Sequence, residues 1–271
     1  MTANLAERGP RTVLVCHEEA ALNREGLAAW LASWSQLAGI VVLREKPSRK
    51  RHRVSRERRR VGLLRMLDVF AFRVYDRLRH AAADREWERT RLAELKARYP
   101  AVPADVPVHV CASINSKGAE DFLRACAPDL MIARCKQLLR ERIFSIPKSG
   151  TYVFHPGICP RYRNAHGCFW ALAENDPERV GMTLLRIDAG IDTGPIYGHY
   201  TYDFDAARET HHVIQARVVL DNLQALQNKL LEIHRGEAVP LEVSHEDSAV
   251  WGQPWLTAYL RWRRRARRAA S

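Results

Sequence analysis

The chain opens with an alternation of short apolar runs and an amphipathic segment. Arg11 to Cys16 (RTVLVC) and Ile40 to Leu43 are continuous apolar runs, which are typical of strands buried on both faces of a sheet. The segment between them, residues 20–34, has helical spacing and places its large apolar side chains on one side: Leu22, Leu27, Trp30 and Leu31. This strand–helix–strand order predicts the opening unit of a parallel sheet.

The same alternation resumes after residue 105. VPVHVCA, DLMIARC and GTYVFH are strand-like, and SKGAEDFLRACAP and LLRERIFSI between them are helical. GMTLLRID and GPIYGHYTYDF predict two further strands in a hairpin or mixed edge, and one long amphipathic helix is predicted to end at Gly236. The pattern predicts an α/β fold, a Rossmann-like and mostly parallel sheet flanked by helices, with function at the carboxyl ends of the strands.

Residues 44–105 interrupt this rhythm with arginine-dense, helical sequence that ends in a cluster of prolines. We predict an inserted basic helical arm here, inside a catalytic domain of residues 1–236 that is followed by an extension with a basic tail, residues 237–271. The arm is expected to dock on the body, or on a second subunit, through its apolar positions: Leu64, Leu67, Val69, Phe72, Val74, Tyr75 and Leu78.

The net charge of +12 is concentrated in two segments. Residues 44–60 hold ten Lys/Arg against two acids, a net +8, and residues 261–271 hold six arginines and no acid. The rest of the chain is therefore close to neutral. Basic runs of this kind bind phosphate polymers or anionic membrane surfaces, or they are simply solvated, so they keep a nucleic-acid partner open without favouring it.

Two further classes of protein are disfavoured by the sequence. The chain has no apolar run long enough to span a membrane, and its first residues contain charges where a signal peptide is apolar, so we expect a cytoplasmic protein. Its six cysteines are scattered without a Cys-x-x-Cys pair, which predicts reduced, buried thiols and no metal site built on cysteine.

Candidate chemistry is concentrated in two places. His155 closes the strand TYVFH and is followed by a Pro-Gly turn that exposes its imidazole at a strand end, where a general acid or base is expected. Asp188 and Asp192 lie in the glycine-rich segment RIDAGIDTGPI between two strand-like runs. Turn formation or helix capping explains either carboxylate equally well when it is taken alone.

Taken together, these segments resemble the folate-dependent formyltransferase family. The resemblance rests on FHPGICPRYRNAHG followed by a helix, a strand and Asp-Thr-Gly, with these positions in register: His155, Pro160, Tyr162, Arg163, Asp192 and Gly194. It is strong over residues 150–196 and weaker over the β-α units before them. The arm and the tail lie outside it.

The resemblance implies transfer of a formyl group from 10-formyltetrahydrofolate to an amine. It implies that His155 stabilises the oxyanion and that Asp192 keeps the imidazole protonated and assists proton transfer. It also implies that the folate meets backbone groups near Gln137 and Leu138 and the loop that contains Asp188 and Ile191.

One departure concerns Val153, which occupies the position of the family's asparagine. Valine cannot donate a hydrogen bond to the formyl oxygen, and loss of such a donor typically costs about 2.7 to 4 kcal/mol. Asn164 or His166, on the loop after His155, is our candidate for a replacement donor. A turn asparagine with a left-handed backbone is the equally simple interpretation of Asn164.

Three functions remain open at this point. The first is a formyltransferase for a small-molecule amine, since the sequence is too short after its long helix for the barrel of a methionyl-tRNA formyltransferase. The second is a 10-formyltetrahydrofolate hydrolase, and the third is a folate-binding sensor or scaffold without catalysis. Retention of both His155 and Asp192 argues against the third. The oligomeric state is not indicated by the sequence.

Overall fold

A seven-stranded sheet organises the protein in the computed structural model, which describes residues 9–44, 47–244 and 246–269, without the side chains of 47–54 and 56. The strands are β1 (Arg11–His17), β2 (Gln36–Leu43), β3 (Val108–Cys111), β4 (Leu130–Arg134), β5 (Gly150–His155), β6 (Met182–Arg186) and β7 (Ile196–Tyr200). Their spatial order is β3-β2-β1-β4-β5-β6-β7. The first five are parallel, and β6 and β7 are antiparallel. The predicted fold class is confirmed, including the mixed edge.

The helices are α1 (Ala28–Trp34, preceded by a wider helical turn, Leu22–Leu27), α2 (Pro47–Arg79), α3 (Ala81–Arg98), α4 (Lys117–Cys126), α5 (Glu141–Phe144), α6 (Gly167–Ala173), α7 (His211–Leu220), α8 (Leu223–Arg235) and α9 (Leu256–Ala269). The single long helix predicted before Gly236 is wrong, because α7 and α8 are separate helices. Asn222 lies at the break and donates from its side chain to the carbonyls of Thr201 and Val218, both at 2.9 Å. The predicted end at Gly236 is confirmed by its φ of 74°.

The core occupies both faces of the sheet, as the continuous apolar character of β1 predicts. Leu14 and Cys16 pack on the face that carries α1, α7 and α8, whereas Val13 and Val15 pack on the face that carries α4 and α5. Successive side chains of a strand point to opposite faces. A strand in the middle of this sheet therefore needs apolar residues at every position.

The inserted arm consists of α2 and α3. Gly62, with φ 79°, kinks α2, and the part after the kink lies against α9. Val69 and Phe72 are buried as predicted, and Tyr75 is partly buried. Docking on the body through the other four predicted positions is wrong, because they face solvent: Leu64, Leu67, Val74 and Leu78. Only one side of the helix reaches the body. Most of the basic run of residues 44–60 has side chains outside the described residues.

The C-terminal helix α9 packs on the body. Tyr259 and Trp262 are buried in a second apolar cluster with Phe72 and Phe169. Two tail arginines bond backbone carbonyls of the same chain: Arg265 donates to Leu172 and Ala173 at the end of α6, and Arg263 donates to Ala206 and Glu209. Part of the basic tail thus stabilises exposed carbonyl groups within the protein. Among the described helices, none has the length and apolarity required to cross a membrane.

Candidate functional site

The site begins at His155, the last residue of β5, where the sheet changes from parallel to antiparallel pairing. The predicted exposure of its imidazole is wrong, because the ring is almost completely buried and its Nε2 lies 2.7 Å from the carbonyl oxygen of Tyr162. A Cβ at Gly157 would lie 2.6 Å from that same carbonyl and 3.2 Å from His155 Nε2. The Pro-Gly turn is therefore required for the close approach of the following loop to the histidine.

Asp192 comes from the loop between β6 and β7, which folds back along β5. Its Oδ2 lies 3.3 Å from His155 Nδ1 and accepts a hydrogen bond of 2.7 Å from the backbone N–H of Asn164. The two groups that flank the imidazole, the Tyr162 carbonyl and the Asp192 carboxylate, are both acceptors. A doubly protonated imidazolium is the form that satisfies both of them.

The shape of this loop is fixed by its own residues. The Asp188 carboxylate accepts hydrogen bonds from Gly190 N (2.9 Å) and Thr193 Oγ1 (2.8 Å). A Cβ at Gly194 would lie 1.9 Å from the carbonyl oxygen of Arg186, so no other residue fits there without a shift of backbone. Asp192 itself adopts φ 50°. Asp188 thus supports the loop that carries Asp192.

A cavity that is open to solvent lies beside this loop. Its wall is formed by the end of β4, the segment after it, β5 and the β6–β7 loop, with these residues among the lining: Gln137, Leu138, Val153, Leu185, Asp188, Ile191 and Asp192. All four residues predicted to meet the folate are among them.

The side chain of Gln137 is already engaged inside the protein. It accepts from Ile114 N at 3.2 Å and donates to the Ala112 carbonyl at 3.1 Å, so it holds the cavity wall in place. Leu138 and Ile191, in contrast, expose 60% and 37% of their surface and provide apolar area at the cavity wall. Such area suits a flat aromatic ring system.

The structure separates the remaining predicted groups from the cavity wall. His155 contributes no lining atom and lies directly behind Asp192. Asn164, at φ 79°, donates from its side chain to the Trp251 carbonyl, and its backbone N–H binds Asp192. His166 packs against His211 with 5.9 Å between ring centroids, and burial lowers its pKa to about 3.

Val153 lies on the cavity wall with an apolar side chain, two residues before His155 and on the same face of β5. It contacts a small cluster that contains Cys159, Leu185 and Ile196. The side chain at this position therefore supplies packing and no hydrogen bond.

Sequence reasoning missed Arg134, at the carboxyl end of β4. Its guanidinium donates to the Phe154 carbonyl, beside His155, and to Asn23 Oδ1, and it forms no ion pair with a carboxylate of the described residues. Burial lowers the pKa of Arg134 to about 10, which leaves it charged at neutral pH. A charged residue ending an otherwise apolar strand is the signal that would have identified it.

Comparisons with known proteins indicate the family and the fold of the chain. A methionyl-tRNA formyltransferase of Thermotoga neapolitana is 33% identical over 134 residues, which is 49% of this chain and 42% of that protein. The chain thus spans less than half the length of this relative. Among solved structures, glycinamide ribonucleotide transformylase 1 from Symbiobacterium toebii has a TM-score of 0.54 at 14% identity, with 89% of this chain and 99% of that chain covered.

A sugar N-formyltransferase from a Shewanella species has a TM-score of 0.52 at 14% identity, with 89% of this chain and 76% of that chain covered. These two structures share the fold. The family model for formyl transferases matches residues 94–230, just over half of the chain. The matched range includes β4, β5 and the β6–β7 loop, and the protein belongs to the formyl transferase family.

Proposed function

We propose that the protein transfers a formyl group from 10-formyltetrahydrofolate to a primary amine held beside Asp192. The observation that carries this proposal is the position of Asp192, which lines the cavity and lies 3.3 Å from a buried histidine. A carboxylate with one edge towards a ligand and the other towards an imidazole is suited to proton transfer. Family membership supports the donor, since formyl transfer from a formyl folate is the general chemistry of the family.

In the proposed reaction, the amine nitrogen attacks the formyl carbon and a tetrahedral intermediate forms with negative charge on oxygen. A proton then leaves the attacking nitrogen and reaches N10 of the folate as the C–N10 bond breaks, so the products are a formamide and tetrahydrofolate. Asp192 accepts and returns this proton, directly or through water. His155, one layer behind, contacts the Asp192 carboxylate through Nδ1 at 3.3 Å, and a positive charge on its imidazole would stabilise the negative charge that develops on the formyl oxygen.

Direct donation from His155 to the oxyanion requires a change in the loop of residues 157–166. In the present arrangement Nε2 faces the Tyr162 carbonyl at 2.7 Å and has no contact with the cavity. His155 therefore acts through Asp192 as a positioning residue unless substrate binding displaces that carbonyl. Asn164 supports the same carboxylate through its backbone N–H.

The folate is proposed to lie with its ring system against the apolar surface of Leu138 and Ile191, near backbone groups of Gln137 and the loop of Asp188. These four residues share one cavity wall, which supports the placement. The acceptor is proposed only as a primary amine. The names of the relatives make aminoacyl-tRNA, glycinamide ribonucleotide and amino sugars the acceptors to test beside simple amines, and the small-molecule acceptor stays a prediction.

Product analysis tests the proposal. Purified protein is mixed with 10-formyltetrahydrofolate, with and without each amine, and tetrahydrofolate and formamide are quantified for wild type, His155→Ala and His109→Ala, a control on the edge strand β3. We expect tetrahydrofolate release that depends on an amine, a loss of about a hundredfold or more in kcat for His155→Ala with folate binding retained, and no loss for the control. Release without an amine indicates a hydrolase, and binding without release refutes catalysis.

A further inference from the structure

We propose that Asp76, His211 and His212 form a binding site for a divalent transition metal, with zinc as the best-suited ion, between the arm and the body. Asp76 comes from α2 of the arm, and the two histidines open α7 of the body. One ligand atom from each residue lies within 4.8 Å of the others. This cluster lies outside the cavity described above.

Two of the distances in the cluster are close to those between the ligands of one metal ion. His212 Nε2 lies 3.2 Å from Asp76 Oδ2, and His211 Nδ1 lies 3.9 Å from Asp76 Oδ1. Ligand atoms around a tetrahedral zinc at about 2.0–2.2 Å are separated by similar distances. Each oxygen of one carboxylate thus faces a different imidazole nitrogen.

The strongest observation is a pair of buried polar atoms that lack a partner. His211 is 1% exposed, and its Nδ1 has no hydrogen bond; Asp76 Oδ1 is also buried without one. A buried polar group normally has a partner, because leaving it unsatisfied is costly. These two atoms face each other at a separation too long for a hydrogen bond, and an ion between them would satisfy both.

The local structure holds the histidines in place. Thr210 caps α7, with its hydroxyl oxygen accepting from Val213 N at 3.2 Å, and donates to Asp84 Oδ1 at 2.8 Å. The His211 ring packs against Phe72 and Phe169, at 5.3 and 5.7 Å between centroids. Ligand side chains locked by packing and by hydrogen bonds on adjacent residues are characteristic of built metal sites.

The ligand types select the metal. Two imidazoles and one carboxylate suit zinc and its neighbours in the transition series, whereas calcium and magnesium require mostly oxygen ligands. Half of the His212 side chain is exposed, which gives an ion access from solvent.

The proposed ion would connect Asp76 with His211, which are 135 residues apart in the sequence. Its position also adjoins the loop of the candidate active site, because His166 packs against His211. We therefore assign the metal a structural role, holding the arm on α7. Formyl transfer does not enter this inference, so its failure and the failure of the proposed function are distinguishable.

Metal titration tests the site. The full chain without a polyhistidine tag is dialysed against EDTA and then titrated with Co²⁺. In a second measurement, bound Zn²⁺ per chain is determined by elemental analysis. Both are made on wild type, His212→Ala, Asp76→Asn and the control His109→Ala. We expect one ion per chain and visible cobalt absorption bands with the intensity typical of four- or five-coordinate Co²⁺. The affinity for the metal is expected to fall by about a hundredfold or more in His212→Ala and Asp76→Asn only. Zinc at a hundredfold excess over its Kd is expected to raise the Tm by about 5 °C or more.

Because His212 is half exposed, His212→Ala is expected to fold as wild type does, and circular dichroism in EDTA checks this. Absence of stoichiometric binding by wild type overturns the proposal. Binding that survives both His212→Ala and Asp76→Asn also overturns it, since that result means adventitious metal, and Asp76 and His212 then form a simple ion pair.

Discussion

Two histidine–aspartate groups of this protein use the same residue types in different surroundings. At His155, both ring nitrogens face acceptors, one a backbone carbonyl at 2.7 Å and one a carboxylate at 3.3 Å. At His211, a buried ring nitrogen faces a carboxylate oxygen at 3.9 Å without a hydrogen bond, and a second histidine stands beside it. The first arrangement gives each ring nitrogen an acceptor, and the second leaves a gap that suits a metal ion.

The comparison shows that the neighbours of a histidine decide its chemistry. Gly157 lets a carbonyl approach His155 closely, and the glycine-rich loop brings Asp192 to its other side. His211 instead lies beside α2 of the arm and packs against aromatic rings, including those of Phe72 and Phe169. The following predictions separate the two groups, from the largest expected effect to the smallest.

Asp192→Asn is expected to lower kcat for formyl transfer by about a thousandfold, because the amide cannot accept the amine proton and removes the charge that pairs with His155. The shape of the side chain is nearly unchanged, so folate binding is expected to persist. Steady-state kinetics and folate binding are measured together. The matched variant Asp76→Asn, in the other group, should leave kcat within about threefold. Equal losses in both variants would contradict the separation of the two groups.

Gly194→Ala is expected to lower kcat/KM by about a hundredfold, since a Cβ there would lie 1.9 Å from the Arg186 carbonyl and the loop of Asp192 must move. Gly118→Ala is the control, because its nearest neighbour would be at 3.5 Å, in the side chain of His109. Similar activity of the two variants would show that the loop shape is unimportant.

Val153→Asn is expected to raise kcat by about tenfold or more, because it places a hydrogen-bond donor on the cavity wall. A well-placed donor to an oxyanion typically changes the rate by about a hundredfold. Val153→Leu adds bulk of similar size without a donor and is expected to give no gain. The test is single-turnover kinetics with saturating folate. A gain in the leucine variant, or none in the asparagine variant, would refute an oxyanion contact at this position.

Asn164→Ala is expected to lower kcat about fivefold. A left-handed backbone costs an alanine roughly 1 kcal/mol, so the backbone N–H of residue 164 would no longer be held against Asp192. Asn164→Gly adopts φ 79° without strain, so it should retain more activity than the alanine variant. If the side chain itself donates to the substrate, both variants would instead lose activity equally and by far more.

Removal of bound metal with EDTA is expected to lower the Tm of wild type by a few degrees and to leave that of His212→Ala unchanged. Differential scanning calorimetry with and without chelator measures this. A chelator effect of the same size in His212→Ala would place the metal elsewhere.

Local signals in the sequence were sufficient for the first group. The strand that ends in His155 and the Asp-Thr-Gly loop are each visible within a few residues. The four residues that the family resemblance implies for folate contact line one cavity wall. The alternating pattern also predicted the sheet and its antiparallel edge. These features depend on strand burial and turn chemistry, which are encoded locally.

What escaped prediction depends on contacts that are remote in sequence. Asp76 meets His211 only because α2 docks on the body. The spacing of apolar residues could not show that Val69 and Phe72 face the body while Leu64 and Leu78 face solvent. The break before α8 is stabilised by Asn222 bonding Thr201, twenty-one residues away. The hydrogen bond of Arg134 was missed because its partner is a backbone carbonyl of the neighbouring strand.

The most direct test of the whole account crosses two variants with two readouts. His155→Gln and His212→Gln are each assayed for amine-dependent release of tetrahydrofolate from 10-formyltetrahydrofolate and for cobalt absorption. The account predicts that His155→Gln loses release by about a hundredfold or more and keeps the cobalt bands, whereas His212→Gln keeps release and loses the bands. Undiminished tetrahydrofolate release by His155→Gln would contradict its central claim.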